Sequence, residues 1–106
     1  MKIELYYFDE CPSYKTALKY IDEALKEKGL NIPVEMVRIT SEEDAVRHRF
    51  LGSPSVRIDG VDIEPGTEKI KAFSLTCRLY LEDDNVLEWP GRKLIRQAID
   101  NASAKQ

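Results

Sequence analysis

The chain has 106 residues, room for one compact domain and not for two. Hydrophobic residues make up 42% and charged residues 33%, the make-up of an ordinary globular domain, and 16 Lys plus Arg against 19 Asp plus Glu leave a net charge of −3, which gives no electrostatic basis for nucleic-acid binding. No apolar run approaches the roughly 20 residues of a membrane span, and Met1-Lys2-Ile3-Glu4-Leu5, interrupted by an acid, does not read as a secretory signal; the expected location is the cytoplasm.

Residues 2–8 are rich in aromatic and β-branched side chains and predict a strand, central in its sheet. Asp9-Glu10-Cys11-Pro12 breaks it, and Pro12 suits the first position of a helix because its missing N–H is not needed there. Tyr14, Leu18, Ile21 and Leu25 then recur at helical spacing, so a helix is expected over 12–28, stopping at Gly29. A second strand is expected over 34–39. Ser41, with Asp44 three residues on, resembles a capping box and predicts a helix over 42–51 whose inward residues are Ala45, Val46, Arg49 and Phe50. After Gly52-Ser53-Pro54, residues 55–58 predict a third strand, and Asp59-Gly60 is a tight-turn signal leading into a return strand that starts at 61–63. Residues 64–73 read as a loop with at most one helical turn. Leu75 to Leu81 alternates strictly and predicts a half-buried strand with Leu75, Cys77, Leu79 and Leu81 on one face. Leu94, Ile95, Ala98, Ile99 and Ala102 mark a last amphipathic helix, followed by a few fraying residues. Strands alternating with helices build parallel pairs through right-handed crossovers, so the expected architecture is a single α/β domain over 1–106, core about 2–101. Its order is β-α-β-α-β-β-α, with a mixed four-stranded sheet and helices on both faces.

Two cysteines are too few for a disulfide-stapled scaffold or, with one histidine, for a closed zinc site. Asp9, Glu10 and Cys11 have no recognisable metal-ligand spacing, so no metal is expected. His48 lies in the charged run Arg47-His48-Arg49 and reads as solvated; Trp89 reads as packing the last helix against the sheet.

The order of elements, with Asp9-Glu10-Cys11-Pro12 after the first strand, Gly52-Ser53-Pro54 before the third and a later Cys77-Arg78-Leu79-Tyr80, resembles the thioredoxin fold over roughly residues 2 to 101. It is similar in size to glutaredoxins and in pattern to small bacterial and archaeal thioredoxin-like proteins, some of them carrying labels tied to organomercurial lyase. By that resemblance Cys11 falls at the first cysteine of the family's Cys-x-x-Cys motif and Pro54 at the cis-proline facing it. The motif here is Cys11-Pro12-Ser13-Tyr14, so a dithiol cycle within the motif is impossible.

The resemblance implies a thiol redox protein working through one motif cysteine, Cys11. It would attack a disulfide or accept glutathione, with an external thiol resolving the mixed disulfide. The helix dipole and the N–H groups of Ser13 and Tyr14 favour the Cys11 thiolate, while Asp9 and Glu10 oppose it. Pro12, Tyr14, Ser53 and Pro54 are the expected binding residues: with a cis Pro54 the Ser53 backbone is free to pair with an extended peptide or a glutathione-like ligand, and the Tyr14 hydroxyl either reaches the sulfur or points to water. Cys77 reads as a small buried hydrophobe. A resolving role would need its Cα within about 7 Å of that of Cys11, and the expected topology brings Tyr80 and Leu81 nearer, leaning against a bridge. The implied partners are a disulfide-containing protein or a small thiol, with neither nucleic acid nor membrane; monomer and homodimer are both open. Two further readings remain: a non-catalytic binding or adaptor module, and soft-metal or organomercurial binding by Cys11.

Overall fold

The computed structural model describes residues 1–104. Strand β1 (Ile3–Tyr7) lies centrally in a mixed sheet of order β2-β1-β3-β4, parallel to β2 (Val34–Arg38) and antiparallel to β3 (Ser55–Ile58). Its alternation divides the interior. Ile3 and Leu5 face the larger core, while Tyr6 and Phe8 face a smaller one with Ile39, Ala45 and Phe50. Asp59 and Gly60 both take positive φ, 52° and 82°, as a two-residue hairpin turn demands, and return the chain into β4 (Val61–Asp62), shorter than expected.

The larger core is closed by α1 (Tyr14–Glu27) and α3 (Arg92–Ala104). Ala17, Ile21, Ala24 and Leu25 of α1 repeat at i, i+4, i+7, i+8 and are buried with Ile95 and Ile99 of α3. The outer rims of the two helices are joined by Arg92–Glu23 and Arg96–Glu27 ion pairs. Helix α1 ends where expected: Gly29 takes φ 67°, and the N–H of Leu30 returns to the Leu25 carbonyl. It begins later than expected, with Ser13 at the cap and Pro12 ahead of it, because Cys11 is first folded into a turn by its N–H bond to the Phe8 carbonyl. The fraying expected at the C-terminus is not seen through Ala104, and the last two positions of the expected 1–106 domain lie outside the described residues.

On the opposite sheet face sits α2 (Glu42–Arg47), capped by Ser41 accepting from the Asp44 N–H, while the Asp44 carboxylate accepts from the Thr40 N–H. It stops four residues short of the expected end. Arg49 enters the left-handed region, and the carbonyls of His48 and Arg49 are taken by the Arg57 guanidinium rather than by further turns. Ala45 and Phe50 are buried as expected; Val46 and Arg49 are exposed. Residues Thr67–Lys69 form one 3-10 turn.

The largest departure concerns residues 75–81. They do not form a continuous strand of the main sheet. Only Tyr80–Glu82 (β5) is strand, pairing with Asn85–Leu87 (β6) in a separate hairpin. Leu75 keeps its inward place, half-buried against the smaller core, but from residue 77 on the faces are inverted: Arg78 and Tyr80 are buried, and Cys77, Leu79 and Leu81 face outward. Three contacts explain this. Arg78 donates to both carboxylate oxygens of Asp62, at 2.7 and 3.0 Å, and to Glu64 and the Ser55 hydroxyl. The Tyr80 hydroxyl donates to the Pro54 carbonyl at 2.6 Å, and its burial pushes its pKa far above the ordinary phenol value, so it stays a donor. The segment also bonds to Ser53 through its backbone: the Ser53 N–H donates to the Thr76 carbonyl at 2.8 Å and the Arg78 N–H to the Ser53 carbonyl at 3.0 Å. Gly52 makes that approach possible. A Cβ there would lie 2.8 Å from Arg78 Cβ and 3.3 Å from the Thr76 carbonyl oxygen, at a φ of +119° that a side chain would strain.

Gly52→Ala should therefore destabilise the protein by about 2 kcal/mol through overpacking and strain, measured as a drop in the urea midpoint. Asp62→Ala, which strips the buried guanidinium of its main partner, should cost about 3 kcal/mol. Asp62→Leu combined with Arg78→Met should recover most of that loss, and failure to recover would show that the site cannot repack without the ion pair.

Candidate active site: the Cys11–Cys77 pair

Cys11 lies in the turn between β1 and α1, walled by Tyr6, Phe8, Ile39, Ala45 and Phe50 of the smaller core, and is 3% exposed. Its thiol donates to the Ser53 carbonyl at 3.5 Å, a contact that requires the proton. Among the described residues no hydrogen bond joins its sulfur to the N–H groups of Ser13 or Tyr14. The late start of α1 therefore removes the expected local donors. Asp9, expected to oppose a negative sulfur, is held by Arg38 at 2.7 Å.

The second sulfur arrives from across the chain. Cys77 is exposed, and its sulfur lies 2.7 Å from that of Cys11, closer than two unbonded sulfurs rest and longer than a disulfide bond. The expectation of a buried, inert Cys77 remote from Cys11 is overturned. The face inversion that buries Arg78 turns Cys77 outward, and the parallel bridge between Ser53 and Cys77 sets it beside the turn that carries Cys11. The contact with the Cys11 sulfur, with partial burial next and the Glu88 carboxylate adding, pushes the Cys77 pKa up to about 11.

The expected binding residues divide. The Ser53–Pro54 peptide bond is cis. Ser53 and Pro54 are fully buried, and the Ser53 backbone N–H and carbonyl are both occupied by residues 76 and 78. The edge expected to be free for a peptide or a glutathione-like ligand is thus filled by the chain itself. Tyr14 is half-buried, its ring 4.3 Å from that of Tyr7 and packed on the larger core, and it makes no hydrogen bond to Cys11 among the described residues. Pro12 is exposed beside Cys11. His48 is half-buried, with Asp44 at 3.6 Å and Tyr6 at a ring distance of 6.0 Å. Trp89 packs on the larger core. Sequence reasoning missed Asp62 and the inward role of Arg78, although the Cys77-Arg78-Leu79-Tyr80 run was noticed. An arginine alternating with leucines toward a nearby Asp-x-Glu, Asp62 and Glu64, was the available signal.

Among the described residues no helix is long and apolar enough to cross a membrane. No family model matches the chain, and no solved structure matches it significantly. It is similar to a protein named Probable Thioredoxin from Methanothermobacter marburgensis, 36% identical over 62 residues that cover 58% of this chain and 73% of that protein. A protein of the same name from Methanothermobacter thermautotrophicus is 34% identical over 62 residues, with the same coverage. With its mixed four-stranded sheet, its three helices among the described residues and these relatives, the chain has a thioredoxin-like fold and belongs to the thioredoxin-like superfamily.

Proposed function

We propose that this protein is a thiol–disulfide oxidoreductase that works through Cys11 and Cys77 together. The observation that carries the reading is the 2.7 Å approach of the two sulfurs, within about 1 Å of a disulfide bond length. Thioredoxin-named relatives support the redox class. The single-cysteine mechanism with an external resolving thiol gives way to an internal pair, because the partner missing at Tyr14 is supplied by residue 77.

The cycle balances as follows. A thiolate of the pair attacks a substrate disulfide R–S–S–R′, forming a mixed disulfide and releasing R′–S⁻, which takes up a proton. The second sulfur of the pair attacks the protein sulfur of that mixed disulfide. The Cys11–Cys77 bond forms and R–SH leaves. The substrate gains two electrons, the pair loses two, and the pair's two protons end on the leaving thiols. A low-molecular-weight thiol such as glutathione, or a dithiol, returns the pair to its reduced state. Buried Ser53 and Pro54 act here as the wall that fixes the Cys77 segment, and exposed Pro12 borders the site.

Oxidation of the purified protein with glutathione disulfide should remove two alkylatable thiols together and leave one intramolecular bond, read by intact mass before and after alkylation. Cys11→Ser and Cys77→Ser should each abolish catalytic disulfide reduction; wild-type turnover in either variant would overturn the paired mechanism. In the reduced protein, Cys77 alkylation should rise with pH about a midpoint near 11. In Cys11→Ala, which removes the neighbouring sulfur, the midpoint should fall toward the free-thiol value of about 8.5. A wild-type midpoint already at that lower value would mean that the Cys11 sulfur does not perturb Cys77 in solution.

A further inference from the structure

We propose that the cavity between the end of α2, the β3–β4 hairpin and residues 67–73 binds a small organic carboxylate, one negative charge on an apolar or aromatic body, held by Arg49 and Arg57. The site lies apart from the two thiols, neither of which lines it, and stands whether or not they act as a pair.

Of the chain's seven arginines, Arg38, Arg47, Arg78, Arg92 and Arg96 each meet a carboxylate. Arg49 and Arg57 meet none among the described residues, and both line this one cavity of about 260 Å³. Arg57 donates to the His48 and Arg49 carbonyls, at 2.6 and 3.1 Å, and lies 4.1 Å from the centre of the Tyr6 ring. These contacts aim its guanidinium without neutralising it. Glu4, the cross-strand neighbour of Arg57, is taken up by the Tyr6 hydroxyl and by Lys2. Arg49 stands over the Phe73 ring at 5.6 Å, from a backbone at φ 55°, a left-handed conformation that carries a steric cost. An anion bound between the two side chains replaces their mutual repulsion with charge-assisted hydrogen bonds that match the guanidinium fork.

The rest of the wall selects the anion. Leu51, Val61, Ile70 and Phe73 give the cavity an apolar side, which bare phosphate would leave uncovered. Two carboxylates also line it. Asp62 is occupied, with both oxygens held by Arg78 at 2.7 and 3.0 Å. Glu68 is exposed on the 3-10 turn and opposes the two arginines. One positive charge is then in excess, which a monoanion matches and a dianion exceeds. The volume lies just under the roughly 300 Å³ at which small-molecule sites begin. It suits a single ring or a short branched chain and excludes a polypeptide segment.

Benzoate and phenylpropanoate are the probes, titrated into the full chain and followed by nitrogen–proton correlation spectra. Saturable shifts should appear in the amides of residues 49–51, 57–62 and 67–73. Phenylpropanol, the same body without the charge, and inorganic phosphate, a charge without the body, should each bind at least about tenfold more weakly than phenylpropanoate. Arg49→Gln, at an exposed side chain, should weaken phenylpropanoate about tenfold and leave the thermal midpoint unchanged. Ile70→Asp, which adds a like charge to the wall at a second exposed position, should weaken it likewise. Glu68→Gln should tighten binding, an effect that a merely structural change in the wall would not give. No saturable shift with either acid at tens of millimolar, or shifts centred outside the cavity, would overturn the assignment. So would phosphate or the alcohol binding as well as phenylpropanoate, unchanged affinity in Arg49→Gln and Ile70→Asp, or weaker binding in Glu68→Gln.

Discussion

Two backbone hydrogen bonds, from the Ser53 N–H to the Thr76 carbonyl and from the Arg78 N–H to the Ser53 carbonyl, hold residues 76–78 against the chain just ahead of β3. That contact needs a position without a side chain, which Gly52 provides, because a Cβ there would press on Arg78. It also needs a place for the Arg78 side chain, which must point inward once Cys77 points outward. Asp62 and Glu64 supply that place, together with the Ser55 hydroxyl. A buried ion pair adds little stability over an apolar replacement and costs heavily when half removed. Its consequence here is orientation: it fixes which face of the segment looks into the protein.

The approach of the two cysteines follows from this orientation. Neither cysteine has a partner in its own stretch of sequence. Cys11 sits in a turn after β1, and Cys77 is 66 positions away. In a Cys-x-x-Cys motif one helix start holds both sulfurs; in this chain the second sulfur comes from a segment that has to dock first. The chemistry and the fold are therefore coupled. Anything that loosens the Ser53 contact separates the thiols, and oxidation of the pair would close a long loop, restricting the unfolded chain by roughly 4 kcal/mol on chain-entropy grounds. The same docking fills the backbone edge at Ser53 and leaves the outer face of the hairpin as the bare surface beside the exposed thiol.

Surrounding groups support the pair without joining it. The ring of Tyr14, which occupies the motif position of the absent second cysteine, stacks on Tyr7 and seals the top of the larger core. Asp9 is drawn to Arg38 on the neighbouring strand. The Tyr80 hydroxyl fastens the start of the hairpin to the Pro54 carbonyl, so the two sides of the site are tied at a second point.

Much of the fold was legible because it is set by local rules. The aromatic run of β1, the helical spacing of Ala17, Ile21, Ala24 and Leu25, the left-handed stop at Gly29, the Ser41 cap and the Asp59-Gly60 turn each depend on residues a few positions apart. Cys11 was legible as a candidate site residue only through the resemblance its motif carries. The hairpin was misread for a definite reason. Alternation says that two faces exist, and hydrophobicity ordinarily says which is inside. In residues 77–81 that second rule fails, because Arg78 finds Asp62 and Glu64 and Tyr80 finds the Pro54 carbonyl, partners 14 to 26 positions away. The sequence by itself determined most of the elements, the sheet around β1 and the place of Cys11 in the turn that follows it. Only the tertiary structure decided that the two cysteines meet, because their meeting depends on a long-range ion pair and a missing Cβ that no local pattern encodes.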